Sequence, residues 1–232
     1  MPSKHIGIVG CSSEGAALCY KTTCSESSKR TLYDHPEVSI HTHSFAKYVD
    51  YLDQDDTQGI ANLMLSSAEK LQSIGAEVLI CPDNTIHRAL PYVLEQMSKP
   101  CTWLHTAQIV SDEAQKKGYR KLGIMGTKWL VDSQVYPDIL EKDGLGYVRP
   151  SKEDRILVNR IIMDELVRGI HNEKSTKALQ EVIIRLAEKG CDAVVLGCIE
   201  LPLVLDDSNS RLPTLDSTRL LARAALQASI VP

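Results

Sequence analysis

Two side chains able to exchange a proton with carbon, the carboxyl of Asp83 and the thiol of Cys198, stand at matching points of a duplicated sequence. Lys4-His5-Ile6-Gly7-Ile8-Val9-Gly10 is echoed by Arg120-Lys121-Leu122-Gly123-Ile124-Met125-Gly126. Gly75-Ala76-Glu77-Val78-Leu79-Ile80-Cys81-Pro82-Asp83 is echoed by Gly190-Cys191-Asp192-Ala193-Val194-Val195-Leu196-Gly197-Cys198, at an offset that agrees to within one residue. A duplicated unit puts equivalent strand ends near one another across a pseudo-two-fold cleft, so Asp83 and Cys198 are expected to face each other. One group to take a proton and another to return it is what a two-base reaction at carbon requires.

Neighbouring polar residues extend that chemistry. Gly10-Cys11-Ser12-Ser13-Glu14-Gly15 follows a strand-like run and opens a helix. Free amides and the Ser12 hydroxyl at such a start form a carboxylate or phosphate cradle, or simply cap the turn. The segment is neither G-x-G-x-x-G nor a Walker loop, which leaves nucleotide binding poorly supported. Asn84 and Thr85 beside Asp83 make a polar pocket floor, with an Asp/Asn helix cap as the alternative. A lone cysteine after a buried strand is more often core than catalytic; Cys198 gains weight only from its repeat partner, Asp83. His41 and His43 share one face of a strand, but spacing suggests no third ligand, and no metal is expected. Arg168, just before Gly169, is either a substrate anchor or a solvated helix-end residue.

The elements that must position these residues follow from the apolar pattern. His5–Val9, Val38–His43, Val78–Cys81, Cys101–His105, Leu122–Met125 and Ala193–Leu196 read as strands. Thr57–Ile74, Ala107–Lys117, Lys152–Gly169 and Ser175–Lys189 read as helices. Strand–helix alternation with continuous apolar strands predicts an α/β fold of two pseudo-symmetric lobes, mainly parallel sheets and a site in the cleft between them. The lobes are expected at 1–117 and 118–232, with the C-terminal segment able to cross back to the first. Ligands of such sheets sit beyond the carboxyl ends of the strands, where Gly10–Glu14, Asp83–Thr85, Gly126–Lys128 and Cys198–Glu200 fall.

Composition narrows the class. A net charge of −4 provides no basic patch for nucleic acid, and no apolar run is long enough for a membrane span. Seven cysteines, an odd number without a C-x-x-C pair, read as reduced thiols of a cytoplasmic protein.

The motifs resemble those of the aspartate/glutamate racemase family over nearly the whole chain. Asp83-Asn84-Thr85-Ile86-His87 is similar to the family's C-N-T-x-H, and Gly197-Cys198-Ile199-Glu200 to its G-C-T-E. The Gly-rich opening, Gly126-Thr127, Asp164-Glu165-Leu166-Val167-Arg168-Gly169 and Pro213-Thr214-Leu215-Asp216-Ser217-Thr218 follow in order. The resemblance implies two Rossmann-like lobes, a small amino-acid substrate, a homodimer and catalysis without any cofactor, pyridoxal phosphate included. It also implies that two cysteines flank the substrate α-carbon, one removing the proton and the other returning it. Ser12, Asn84, Thr85, Thr127, Arg168, Ile199 and Lys47 then become substrate-binding positions.

This chain departs from the family pattern where it matters most. Asp83 stands at the first cysteine, Ile199 at the threonine, and Lys47 near a position that is often arginine in members specific for acidic substrates. The expected activity is racemisation of aspartate or glutamate by Asp83 and Cys198. A single-cysteine decarboxylase of the same superfamily and a binding protein that has lost catalysis are the alternatives.

Overall fold

The duplication reappears as two sheets of one design. The protein is described by a computed structural model at residues 3–28 and 34–230. Contacts divide it into one unit of Met1–Thr106 with Thr218–Pro232 and another of Ala107–Ser217. The division thus precedes the helix near 107–117 instead of following it, and the C-terminal segment belongs with the first unit.

In the first unit the order is β1 (Ile6–Gly10), α1 (Ser13–Ser28), β2 (Val38–Thr42), α2 (Phe45–Asp53), α3 (Thr57–Ser73), β3 (Val78–Ile80), a 3-10 turn at Thr85–Ala89, α4 (Leu90–Gln96) and β4 (Thr102–Leu104). All strands are parallel in the order β2-β1-β3-β4. Helix α5 (Thr106–Lys116) leads into the second unit. There follow β5 (Lys121–Met125), α6 (Lys128–Val131), α7 (Pro137–Lys142), β6 (Gly146–Val148), α8 (Lys152–Arg160), α9 (Glu173–Glu188), β7 (Ala193–Leu196) and β8 (Thr214–Asp216). Their parallel order is β6-β5-β7-β8, the same design again, and α10 (Ser217–Ser229) closes the chain.

Burial explains which strands carry the site. Every residue of β1, β3 and β7 is buried, and β5 is buried but for Lys121. The flanking strands are partly exposed. Continuous apolar strands of this kind need helices against them, and α1 and α3 pack on β1 while α9 packs on β5 and β7. Helix α9 presents Leu179, Val182, Ile183 and Leu186 as one buried stripe, capped at its start by Asn172, whose side chain accepts from Lys174 N at 2.9 Å. Close approach explains the repeated Gly7 and Gly123. A Cβ on Gly7 would lie 2.6 Å from Leu79 Cδ2, and one on Gly123 would lie 2.8 Å from Leu186 Cδ1.

One expected helix is broken. The run from Lys152 to Gly169 is α8, then a π-helical turn at Ile161–Glu165, then a 3-10 turn at Leu166–Arg168 ending on left-handed Gly169. Widening the helix by one residue leaves Ile161, Ile162 and Leu166 all buried. Among the described residues, no helix is long and apolar enough to cross a membrane.

Candidate active site

Each unit places a polar cluster beyond the carboxyl ends of its two central strands. In the first, the register pairs Ile8 of β1 with Ile80 of β3. Carried three residues onward, it sets Cys11 beside Asp83, and the Cys11 thiol donates to the Asp83 carboxylate. Oδ1 of Asp83 accepts the amides of Thr85 at 2.9 Å and Ile86 at 3.2 Å, so this carboxylate also caps the 3-10 turn. Burial pushes the Asp83 carboxyl above the ordinary aspartate range, and the bonds from Ile86, Cys11 and Thr85 pull it partly back.

The main chain of Asp83 is braced from below. His87 Nδ1 lies 2.8 Å from the Asp83 carbonyl oxygen, which can only accept, so Nδ1 carries the proton. Nε2 is then free to accept the Thr106 amide at 3.3 Å, while the Thr106 hydroxyl donates to the Cys81 carbonyl at 3.1 Å. Burial, followed by the nearby His105, lowers His87 to about 3 and keeps the ring neutral. Cys81 is fully buried. So is Tyr48 of α2, whose phenol is pushed upward by burial first and then by Cys11, Cys81 and Asp83.

The other first-unit candidates divide. Asn84 and Thr85 are buried beside Asp83. The Ser12 hydroxyl accepts the Gly15 amide at 3.3 Å and so caps α1. Lys47 is exposed on the first turn of α2. His41 accepts from the Lys70 ammonium at Nε2 (3.2 Å), which leaves Nδ1 to donate to Ser67 at 2.9 Å. The bond from Lys70 occupies the Nε2 lone pair a metal would need. Among the described residues no three His, Cys, Asp or Glu side chains converge as a metal site.

In the second unit the register of β5 on β7 pairs Met125 with Leu196. The Gly197 amide donates to the Met125 carbonyl at 2.8 Å, which carries the alignment past the strands toward Thr127 and Cys198. Cys198 is 9% exposed and Glu200 3%, and Sγ donates to Glu200 Oε2 at 2.9 Å. Thr127 and Ile199 are buried alongside. Arg168 is exposed at the end of its 3-10 turn. A groove of about 510 Å³ in this unit is lined instead by Lys128, Lys152, Arg155 and Arg160, with Asp132 and Asp164 among them.

The profile of the Asp/Glu/Hydantoin racemase family matches residues 8–225. The chain belongs to that family. Broad specificity amino-acid racemase RacX of Bacillus subtilis is 23% identical over 194 residues, covering 83% of this chain and 82% of that protein. A provisionally assigned Asp/Glu racemase from Yersinia pestis has a TM-score of 0.88 at 27% identity, covering 97% of this chain and 98% of its own. An aspartate racemase homologue from Pyrococcus horikoshii OT3 has a TM-score of 0.82 at the same identity and coverage. Members of this racemase family are isomerases that act on small amino-acid substrates. Three residues of this racemase-family chain were not singled out from sequence: Cys11, Tyr48 and Glu200. Glu200 sat in plain view in the Gly197–Glu200 motif, and Cys11 in the loop read as a cradle.

Proposed function

We propose that this chain is a cofactor-independent amino-acid racemase for aspartate or glutamate, with Asp83 and Cys198 serving opposite faces of the α-carbon. The observation that carries the reading is the equivalence of the two groups: each follows the buried strand neighbouring the first strand of its own four-stranded sheet.

In one direction the Asp83 carboxylate removes the α-proton. The charge spreads into the substrate carboxylate, where the amides and hydroxyls around Asn84, Thr85 and Thr127 stabilise it. The Cys198 thiol, held by Glu200, delivers a proton to the other face. In the reverse direction protonated Asp83 is the acid and the Cys198 thiolate the base. Burial supports the first role, because a raised carboxyl holds its proton closer to neutral pH. Arg168, aligned with a basic anchor of some family members, favours an acidic substrate side chain, whereas Lys47 leaves the choice of side chain open. Ile199 offers no hydroxyl to the substrate carboxylate.

Proton NMR of L- and D-aspartate and glutamate in D₂O with the purified protein alone tests the reading. Loss of an α-proton signal together with appearance of the opposite enantiomer is expected. Carbon dioxide release from a malonate without any exchange would instead establish the decarboxylase.

A further inference from the structure

If Asp83 is the first unit's base, a buried thiol beside it has no role in the scheme above. Cys11 is 2% exposed and follows β1 as Asp83 follows β3. We propose that Cys11 is a positioning residue for Asp83, its thiol donating to the carboxylate and turning it toward the substrate α-carbon as a charged base. The inference rests on the racemase reading.

Three observations meet at this pair. Strand register pairs Ile8 with Ile80, three residues before each member, and the Cys11 thiol reaches the Asp83 carboxylate. The carboxylate already commits Oδ1 to the Thr85 and Ile86 amides, which fix one edge of the group, and the thiol supplies a third donor. Among the described residues, no positive charge contributes to holding the carboxylate ionised. Cys81, immediately after β3, turns its thiol toward the Asp83 carbonyl at 3.8 Å. Tyr48 on α2 stays a neutral phenol, Cys19 on α1 faces Cys81, and His87 with His105 stays uncharged. Charge at Asp83 therefore depends on neutral donors alone, and Cys11 is one of three.

Loss of one donor to a charged acceptor moves its titration by about one unit. The pH profile of α-proton wash-out from aspartate and glutamate enantiomers in D₂O reads this directly. In Cys11→Ala the acid limb should move up by about one pH unit, so that kcat on that limb falls roughly tenfold while KM holds. Cys11→Ser, which restores a donor, should return the limb to its native place. A Cys11→Ala profile that superposes on the native one overturns the inference. Should that variant fail to fold, a Cys11→Ser limb displaced by a full unit overturns it equally. Asp83→Asn in the same assay separates the two readings. Inversion that survives Asp83→Asn removes Asp83 as the base, whereas lost inversion with an unmoved Cys11→Ala limb removes only Cys11.

Discussion

Asp83→Asn should separate taking a proton from inverting a carbon centre. Asparagine keeps an oxygen for the Thr85 and Ile86 amides, which Asp83 now receives at 2.9 and 3.2 Å, so the cap and the turn remain. What disappears is a group that can hold the α-proton. Positioned proton transfer contributes about 10²–10⁴-fold, or about 3–5 kcal/mol of barrier. Inversion should therefore fall at least about a hundredfold. Wash-out behaves differently. The enantiomer whose α-hydrogen faces Cys198 should still exchange with solvent and keep its configuration, while the other enantiomer stops exchanging. Proton NMR in D₂O follows the first process and circular dichroism the second. Inversion within about tenfold of native refutes the base assignment. Loss of exchange in both enantiomers, with KM raised, would make Asp83 the holder of the substrate ammonium.

The same variant carries a stability signature. Burial raises the folded-state acidity constant of Asp83 above its unfolded value, so the folded protein binds the proton more tightly. Native stability then falls as pH rises from the unfolded value to the folded one and is level above it. Asp83→Asn has no such charge to bury. Its melting temperature should equal or exceed native near neutral pH, and the advantage should vanish below the ordinary aspartate range. An advantage that grows toward acid pH would contradict the burial argument.

Other substitutions probe the remaining joints. Glu200→Gln removes the buried negative charge 2.9 Å from Cys198 Sγ, which should ease thiolate formation and speed iodoacetamide labelling of Cys198, while racemisation falls about tenfold; unchanged labelling, located by mass spectrometry, would disconnect the pair. Arg185 grips Asp154 through two bonds of 3.0 and 2.6 Å and holds its carboxyl below the ordinary range. Because the arginine is largely solvated, Asp154→Asn should cost only about 1 kcal/mol at pH 7. That difference should be lost as pH falls through the depressed folded value, measured by urea unfolding. Leu186→Ala should cost about 2–5 kcal/mol, and Gly123→Ala about 1–3 kcal/mol from crowding. Together they should cost less than the sum, since the new methyl enters the vacated space; strict additivity would show that the two do not touch.

The central strands were legible because β1, β3, β5 and β7 are short apolar runs between helical periods, and because the chain states them twice. Helices α3, α5 and α9 were legible for the same reason, and each lies within two residues of its expected bounds. Strands β6 and β8 escaped notice. Each is three residues long and partly exposed, with no alternation to mark it. The π turn at Ile161–Glu165 leaves no sequence trace, because one shifted hydrogen bond alters the apolar period by a single residue. At the site, the repeat pointed to Asp83 and Cys198. Cys11 was hidden because its bond to Asp83 depends on the register of two strands far apart in sequence. His87 was read only as a motif letter, since its brace runs through Thr106 at the start of another element.

Each unit holds a thiol that donates to a carboxylate, but with the members in opposite places. In the first unit the carboxylate, Asp83, stands at the repeat position after β3 and the thiol, Cys11, supports it. In the second the thiol, Cys198, stands at the equivalent position after β7 and the carboxylate, Glu200, supports it. Two cysteines at these positions would need their surroundings to decide which one starts charged. Under the proposed assignment the side chains themselves settle it, with Asp83 resting as the base and Cys198 as the acid. Such an enzyme is ready for one enantiomer and must reset its protons for the other. The equilibrium constant between enantiomers is unity, so this asymmetry cannot enter kcat/KM, which must be equal in both directions. It must appear in kcat and KM separately, both higher for the enantiomer that meets the resting state. Equal kcat and equal KM for the two enantiomers would mean that the Asp83 and Cys198 protons are reset faster than the substrate turns over.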